Sequence, residues 1–274
     1  MRVHPPSGLA TIRLVCLDVD GTLVGSSGAV HAAVWVAVER LHAAGIRLAV
    51  CSGRPAFGVT RGIAERLQPD GWHVFQNGAS VLHVGTGRSR SAQLAPEAVR
   101  MLVDRARARD RVLELYSDEA YAVESTTARA RVHATLLGLP FAPRSLDAAP
   151  GPLVRAQWLL AHEEAEIVLA EPHPGLEVSA STSPLMPDTL FVNLTPAGVD
   201  KSTAVRAMAA EYGVPLEQVM FVGDGLNDVT AMGLVGRAVA MGNAEPEARA
   251  AARHVVGHVD DEGLVEALEL ALAA

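Results

Sequence analysis

The sequence predicts an α/β protein in which a parallel-sheet core is interrupted by an inserted α+β domain. Short apolar runs alternate with segments of helical periodicity at both ends of the chain, and this alternation is typical of a parallel sheet. The middle of the chain loses that rhythm and carries a Gly-rich turn and a Pro-rich stretch. A length of 274 residues suits two lobes. We therefore expect a core from residues 1–84 and 189–274 and an inserted domain from residues 85–188.

The first part of the core predicts three strands separated by two helices. The strands are expected at residues 12–18, in "IRLAVCSGR" and in "WHVFQNG". The first helix, residues 30–44, is expected to end at Gly45, because glycine is the usual residue just after a helix. The second helix, in "PAFGVTRGIAERL", carries Pro55 in its first turn, where a missing N–H costs no hydrogen bond.

The inserted domain predicts a hairpin, a helix and further strands. The hairpin is expected in "ASVLHVGTGRSRSAQL" and the helix at residues 96–111. Half-exposed strands are expected in "VLELYSDEAYAVES" and "AEIVLAEP". The arginines of "VRMLVDRARARDR" are expected to form a solvated helix face. The alternative is a basic patch that meets an anionic substrate.

From residue 190 the parallel α/β rhythm is expected to resume. Strands are expected in "LFVNLTP", "QVMFVGDG", "RAVAMGN" and "HVVGHV". Helices are expected in "KSTAVRAMAAEYG", in "LNDVTAMGLVG", and at residues 245–253 and 262–273.

Composition narrows the class of protein. The net charge of −8 argues against nucleic acid or an anionic membrane as the main partner, because both attract basic patches. No run approaches the ~20 apolar residues of a membrane span, and the N-terminal segment lacks the apolar stretch of a signal peptide. Cys16 and Cys51 lie in apolar runs, which predicts buried free thiols in a reducing compartment. We therefore expect a cytoplasmic protein.

Lys201 is the only lysine in a chain that has 23 lysines and arginines in total. An ordinary surface lysine could be replaced by arginine, but a position that needs a compact ammonium could not, because a guanidinium is flat and has a different donor geometry. Lys201 is therefore a candidate functional residue.

Polar residues directly follow apolar strands at four places in the predicted core. The segments are "DVDGT" (18–22), "SGR" (52–54), the loop before "KST" (201–203) and "GDGLND" (223–228). In an open parallel sheet, ligands bind at the carboxyl ends of the strands. Four carboxylates would then share a small space and repel one another, which a hard divalent cation such as Mg²⁺ resolves. They are Asp18, Asp20, Asp224 and Asp228.

A metal ion and Lys201 together would create a positive pocket suited to a phosphate. Ser52 and backbone N–H groups could add hydrogen bonds to such a ligand. A carboxylate can attack phosphorus and form an acyl phosphate. A second carboxylate two residues further on can protonate the leaving oxygen and later accept a proton from water. Asp18 and Asp20 provide such a pair on one strand end.

These motifs resemble, in order, the four sequence motifs of the haloacid dehalogenase (HAD) superfamily of phosphatases. An insertion between the second and third motifs, together with "FQNGA", "MGNAEPEARAAA" and "DDEGLVEAL", is similar to the Cof-type subfamily. The resemblance implies a Rossmann-like core with a C2-type cap. It also implies Asp18 as nucleophile and Asp20 as general acid and base.

The same resemblance implies the ligands of the metal and of the phosphoryl group. Mg²⁺ would be held by Asp18, by the backbone carbonyl of Asp20, by Asp224, and by Asp228 directly or through water. The phosphoryl group would be bound by Thr22, Ser52, Gly53, Lys201 and Asn227, with Thr22, Gly53 and Gly223 supporting the loops.

The function predicted from the sequence is Mg²⁺-dependent hydrolysis of a small phosphate monoester, such as a sugar phosphate, through an aspartyl-phosphate. Two alternatives stay open. A phosphosugar mutase of the same fold would pass the phosphoryl group to a second hydroxyl. A non-catalytic protein on this scaffold would bind a phosphometabolite without cleaving it.

Overall fold

The computed structural model describes residues 10–183 and 186–273, which form two compact units. We call Met1–Ser52, Ala64–Val74 and Lys201–Ala274 the core unit, and Gly53–Ile63 and Phe75–Asp200 the insert unit.

The core unit contains a five-stranded parallel sheet in the order β12-β11-β10-β1-β2. Its strands are β1 (Leu14–Leu17), β2 (Arg47–Val50), β10 (Val219–Gly223), β11 (Arg237–Ala240) and β12 (His254–Val255). Every pairing in this sheet is parallel. All four residues of β1, which lies between β10 and β2, are buried, as expected for a sheet covered on both faces. The predicted parallel α/β core is confirmed.

Helices connect the strands of the core. They are α1 (Ala32–Ala43), α6 (Lys201–Tyr212), α7 (Val229–Leu234), α8 (Pro246–Ala251) and α9 (Gly263–Leu272), while α2 (Val59–Leu67) and β3 (Trp72–Phe75) contain residues of both units. Gly45 follows α1 with a φ of 73°, and its N–H donates to the carbonyl of His42. A left-handed glycine therefore ends this helix, as predicted.

The insert unit contains a five-stranded antiparallel sheet in the order β6-β5-β7-β9-β8. The strands are β5 (Val112–Tyr116), β6 (Tyr121–Val123), β7 (Arg155–Ala161), β8 (Leu176–Ser183) and β9 (Met186–Pro196). The remaining elements are β4 (Ser80–His83), α3 (Pro96–Arg109), α4 (Ala128–Leu136) and α5 (His162–Ala170).

The two faces of this antiparallel sheet differ in character. One face is apolar and packs against α3 and α5, with Trp158 and Leu102 both fully buried in that core. Because side chains alternate along a strand, the intervening residues lie on the other face. Those residues are largely polar, and they include Glu114, Tyr116, Arg155, Gln157 and Asn193.

Several expectations from the sequence differ from the structure. Helix α2 begins at Val59, so Pro55 precedes this helix and does not lie in its first turn. Strand β5 is buried along its whole length and is not half-exposed.

The segment "AEIVLAEP" is not a strand, because residues 165–170 lie in α5. Ala165 and Val168 are buried on one side of that helix, while Ile167 and Leu169 are exposed, and these two apolar residues imitate the alternation of a strand. The segment "LFVNLTP" is a strand, but it belongs to β9 and pairs antiparallel with β7 and β8. As a consequence, residues 189–200 lie in the insert unit and not in the core.

Both cysteines, Cys16 and Cys51, are buried and free, as predicted. Within residues 10–183 and 186–273, no helix has the length and apolar character required to cross a bilayer. The cytoplasmic location stays a prediction.

Candidate active site

Three predicted motifs of the core unit meet at the carboxyl ends of neighbouring strands. Asp18 follows β1, and its N–H donates to the carbonyl of Val222 at 2.9 Å, beside the end of β10. The N–H of Cys51 donates to the carbonyl of Leu17 at 2.7 Å, which places the start of the Ser52 motif beside β1. Ligands of open α/β sheets bind at this edge.

Lys201 joins two of the predicted carboxylates. Its Nζ donates to Asp18 Oδ1 at 2.5 Å and to Asp228 Oδ1 at 2.6 Å, and its side chain is fully buried. Burial alone would lower the pKa of Lys201, but its two carboxylate partners outweigh burial and raise that pKa. The lone lysine of the chain is therefore a charged bridge at the centre of the site.

Asp18, Asp224 and Asp228 form a cluster in which one oxygen of each lies within 4.8 Å of the others. Burial raises the pKa of Asp18 well above its ordinary value; Lys201 opposes this shift, and repulsion from the neighbouring carboxylates adds to it. Burial likewise raises the pKa of Asp224 to about 6. The single positive charge of Lys201 does not balance the negative charges of these three carboxylates. A donor set made only of carboxylate oxygens with excess negative charge fits a hard cation such as Mg²⁺.

Asp228 is fixed by the loop that carries Asp224. Its Oδ2 accepts hydrogen bonds from the N–H groups of Asp224 at 3.0 Å and Gly225 at 2.9 Å. A Cβ at position 223 would lie 2.4 Å from the same oxygen, so only glycine fits there. Both oxygens of Asp228 therefore have protein partners, one of which is Lys201.

Asp224 is oriented by the loop after β1. Thr22 Oγ1 donates to Asp224 Oδ1 at 2.8 Å. Gly21 has a φ of 79°, and a Cβ there would lie 2.1 Å from Asp224 Oδ2. Thr22 thus positions a carboxylate in this structure, while its role in phosphate binding stays a prediction.

Asn243 is a positioning residue to which the sequence assigned no role. Its Nδ2 donates to the carbonyl of Gly21 at 2.8 Å and approaches Asp224 Oδ2 at 3.4 Å, while its Oδ1 accepts from the N–H of Val259 at 3.0 Å. The available signal was compositional, because Asn243 is one of only four asparagines and lies in a family-like motif.

The other predicted site residues occupy different environments. Asp20 is exposed and lies close enough for its charge to raise the pKa of Asp18 and of Asp224. Ser52 is buried in the core unit, and its N–H donates to the carbonyl of Val74 at 2.9 Å. Asn227 is exposed in the core unit, and Gly53 belongs to the insert unit. The phosphate-binding roles of Ser52, Gly53 and Asn227 stay predictions.

A profile of the haloacid dehalogenase-like hydrolase family matches residues 15–142 and 179–268. The chain belongs to this family. The predicted superfamily and its Cof-type subfamily are therefore confirmed, and the protein is an enzyme of the hydrolase class.

Relatives cover nearly the whole chain. The HMP-PP phosphatase of Cronobacter sakazakii (strain ATCC BAA-894) is 24% identical over 93% of this chain and 94% of its own. A haloacid dehalogenase-like hydrolase from Bacteroides thetaiotaomicron has a similar structure, with a TM-score of 0.83, 25% identity and coverage of 94% of this chain and 99% of that one. The HAD subclass IIB sugar phosphatase BT4131 shares the fold, with a TM-score of 0.79, 22% identity and coverage of 94% and 98%.

The crowding of carboxylates predicts that Asp224→Asn stabilises the metal-free protein. The pKa of Asp224 lies at about 6 in the folded state against an ordinary 3.8. Between about pH 6 and pH 4, Asp224 is protonated in the folded state but ionised in the unfolded state. The cost of burying its charge therefore disappears as the pH falls through this window, and the free energy of unfolding rises. We expect the variant to have the higher Tm at about pH 7.5, with the difference shrinking towards pH 4.

Thermal unfolding in EDTA across this pH range checks the expectation. The matched control is Asp261→Asn, which removes an exposed carboxylate of the core unit. Added Mg²⁺ should raise the Tm of the wild type, because a ligand that binds only the folded state stabilises it, and should raise that of Asp224→Asn much less. An equal rise in the Tm of both proteins would show that Asp224 does not bind the metal.

Asn243→Ala is expected to lower kcat about tenfold and the free energy of unfolding by about 1–3 kcal/mol, because it leaves buried hydrogen-bonding groups of two loops without partners. Asn243→Asp keeps an acceptor for Val259 but removes the donor to Gly21 and adds charge beside Asp224. Its kcat should also fall, but its free energy of unfolding should be higher than that of the alanine variant. Steady-state kinetics and denaturant unfolding measure the two effects, and unchanged kcat in both variants would show that Asn243 has no role in the site.

Proposed function

We propose that the protein is a Mg²⁺-dependent phosphatase that hydrolyses a phosphate monoester of a small metabolite through an aspartyl-phosphate. One observation carries the proposal. Lys201 holds Asp18 through Oδ1, while no donor among the described residues hydrogen bonds to Asp18 Oδ2. A buried carboxylate with one oxygen anchored and the other unbonded suits a nucleophile.

Asp18 Oδ2 attacks phosphorus, so that a new O–P bond forms while the bond between phosphorus and the ester oxygen breaks. Asp20 donates a proton to that departing oxygen. In the second step Asp20 accepts a proton from water, whose oxygen attacks phosphorus and releases Asp18 and inorganic phosphate. The exposure of Asp20 supports this role, because a group that exchanges protons with substrate and water needs access to both.

Lys201 has two functions in this scheme. Burial raises the pKa of Asp18, and the charge of Lys201 opposes that shift, so Lys201 favours the ionised form that attacks phosphorus. Its ammonium also neutralises part of the charge on the phosphoryl group during transfer. Ser52, Gly53, Asn227 and Thr22 complete the proposed set of phosphate ligands.

The carboxylates of Asp18, Asp224 and Asp228 and the backbone carbonyl of Asp20 would hold Mg²⁺. When bound, the ion supplies positive charge that offsets the repulsion between the carboxylates and the phosphoryl oxygens. Because both oxygens of Asp228 already accept hydrogen bonds, we propose that it contacts the ion through water.

The relatives support a small phosphorylated metabolite as substrate. One is named an HMP-PP phosphatase, and one structure is that of a sugar phosphatase. We propose a substrate of this general class.

Release of inorganic phosphate from p-nitrophenyl phosphate and from a panel of phosphorylated sugars tests the function. We expect hydrolysis with Mg²⁺ and its loss in EDTA. Formation of an isomeric sugar phosphate without free phosphate would favour a mutase. Binding of panel members without any turnover would favour a non-catalytic binding protein.

A further inference from the structure

The segment "DDEGLVEAL" begins at Asp260 and has no part in the proposed chemistry. Asp260 lies in a short turn of the core unit, residues 258–261, which we call the clamp turn. Its Oδ1 accepts a hydrogen bond from the N–H of Ser26 at 2.9 Å, although the two residues are 234 positions apart. This hydrogen bond lowers the pKa of Asp260, so the carboxylate is ionised at neutral pH. The clamp turn is therefore attached to the loop that follows β1.

Gly25 leaves the space that this contact needs. A Cβ at position 25 would lie 2.0 Å from Asp260 Oδ1 and 3.2 Å from Val259 Cγ1. The φ of Gly25 is not positive, so its backbone conformation is open to other residues. A side chain at position 25 is therefore disfavoured by the carboxylate of Asp260 and not by the backbone.

Ser26 ends the loop that carries Asp20, residues 19–26, which we call the Asp20 loop. This loop folds back on itself, because the N–H of Gly21 donates to the carbonyl of Val24 at 2.9 Å. An isolated parallel bridge also pairs Asp20 with Val24. Ser26 therefore lies just beyond the backbone partner of Asp20, and a contact that fixes Ser26 also limits the movement of Asp20.

The clamp turn holds the Asp20 loop at a second point. The N–H of Val259 donates to Asn243 Oδ1 at 3.0 Å, and Asn243 Nδ2 donates to the carbonyl of Gly21 at 2.8 Å. Gly21 directly follows Asp20. The loop is thus connected to the clamp turn through Asn243 next to Asp20, and through Asp260 where the loop ends at Ser26.

A cavity of about 200 Å³ lies between residues 22–34 and residues 259–264, beside the Asp260 contact. Its walls include Leu23 of the Asp20 loop and Leu264 of α9. Because a cavity separates the two segments there, hydrogen bonds hold the loop in place where close packing would otherwise do so. Asp20 itself is exposed, so the conformation of its loop determines where its carboxyl group lies.

We propose that Asp260 is a positioning residue for the general acid: by holding Ser26, it keeps the Asp20 loop in the conformation from which Asp20 protonates the leaving oxygen. The inference rests on the proposed phosphatase function. In that step Asp18 forms the new O–P bond, the ester O–P bond breaks, and the proton of the Asp20 carboxyl group moves to the departing oxygen. The need for this proton increases with the basicity of the leaving group. A misplaced Asp20 should therefore slow basic leaving groups most.

Phenyl phosphate and p-nitrophenyl phosphate test this expectation, because both are aryl esters and phenolate is much more basic than p-nitrophenolate. We compare kcat/KM, which includes the departure of the leaving group but not the later hydrolysis of the aspartyl-phosphate. Asp260→Ala should lower kcat/KM about 10- to 100-fold for phenyl phosphate and less than about threefold for p-nitrophenyl phosphate. A loss of folded enzyme would lower both values by the same factor and leave their ratio unchanged.

Three further variants connect the effect to the contact itself. Asp260→Asn keeps an oxygen that accepts from the N–H of Ser26, so it should restore most of the wild-type ratio. Gly25→Ala should displace the carboxylate of Asp260 and reproduce the effect of Asp260→Ala on the ratio. Because both substitutions break one contact, their effects should not add in the double variant. The control is Asp261→Ala, an exposed residue of the clamp turn, which should keep the wild-type ratio.

An unchanged ratio in Asp260→Ala would overturn the proposal, as would additive effects of Asp260→Ala and Gly25→Ala. If the wild type hydrolyses neither ester, the proposed function fails by itself. Hydrogen exchange of the Asp20 loop, followed by NMR, then still tests the clamp. Asp260→Ala should speed exchange of the Ser26 amide about threefold to tenfold relative to Asp261→Ala, the factor of one lost hydrogen bond. Equal exchange in these two variants would overturn the assignment of Asp260.

Discussion

Asp18→Asn is expected to lower kcat for phosphate release by at least about 10⁴-fold, because an amide oxygen cannot replace a carboxylate as nucleophile. The variant should remain folded. An asparagine has the same shape, and its oxygen can still accept the hydrogen bond that Lys201 Nζ makes at 2.5 Å. It also removes one charge from a crowded group, so the Tm of the metal-free variant should equal or exceed that of the wild type.

Phosphate release from p-nitrophenyl phosphate and thermal unfolding measure these two effects in parallel. Asp261→Asn, an exposed carboxylate of the core unit, provides the matched control and should change neither quantity. Activity of Asp18→Asn within about tenfold of the wild type, under conditions that exclude deamidation, would contradict the assignment of Asp18 as nucleophile.

Lys201→Arg is expected to lower kcat by about 10²- to 10³-fold, the range measured when one group that stabilises a transition state is removed. The ammonium is fully buried between Asp18 and Asp228 at 2.5 and 2.6 Å. A planar guanidinium is larger and cannot occupy the same point while keeping both contacts. The kcat of Lys201→Met should fall further, because methionine also leaves the neighbouring carboxylates without a counter-charge.

Arg206→Lys is the control for the substitution type, since Arg206 is an exposed residue of the same helix. We expect its kinetics to match those of the wild type. Wild-type kinetics in Lys201→Arg would instead mean that the only lysine of the chain was retained by chance. A folded Lys201→Met that retains full activity would exclude Lys201 from the chemistry altogether.

Much of the site was predictable because its signals are local in the sequence. A buried strand followed at once by "DVDG" or "GDG" fixes both the edge of the sheet and the residue type that stands there. The scarcity of lysine identified Lys201 before any contact was known. Gly223 was expected to support its loop, and its close approach to Asp228 provides the physical reason.

Other features depended on partners distant in the chain. Asn193 had no place in the sequence analysis, yet it accepts a hydrogen bond from Arg155, 38 residues away. The hydroxyl of Thr22 donates to Asp224, 202 residues away, a contact that the sequence did not predict. The apolar alternation around Ile167 predicted a strand, although burial of Ala165 and Val168 selects a helix.

The sequence alone determined the parallel core and the family, and it predicted the acidic cluster around Lys201, because periodicity and strand-end motifs are properties of short segments. Only the tertiary structure decided that β9 joins the insert sheet, that Asn243 supports the loop of Gly21, and that Arg155 is buried over the ring of Tyr116. Strand partners and the burial of a charge depend on which distant residues fill the space around a segment. No local pattern contains that information.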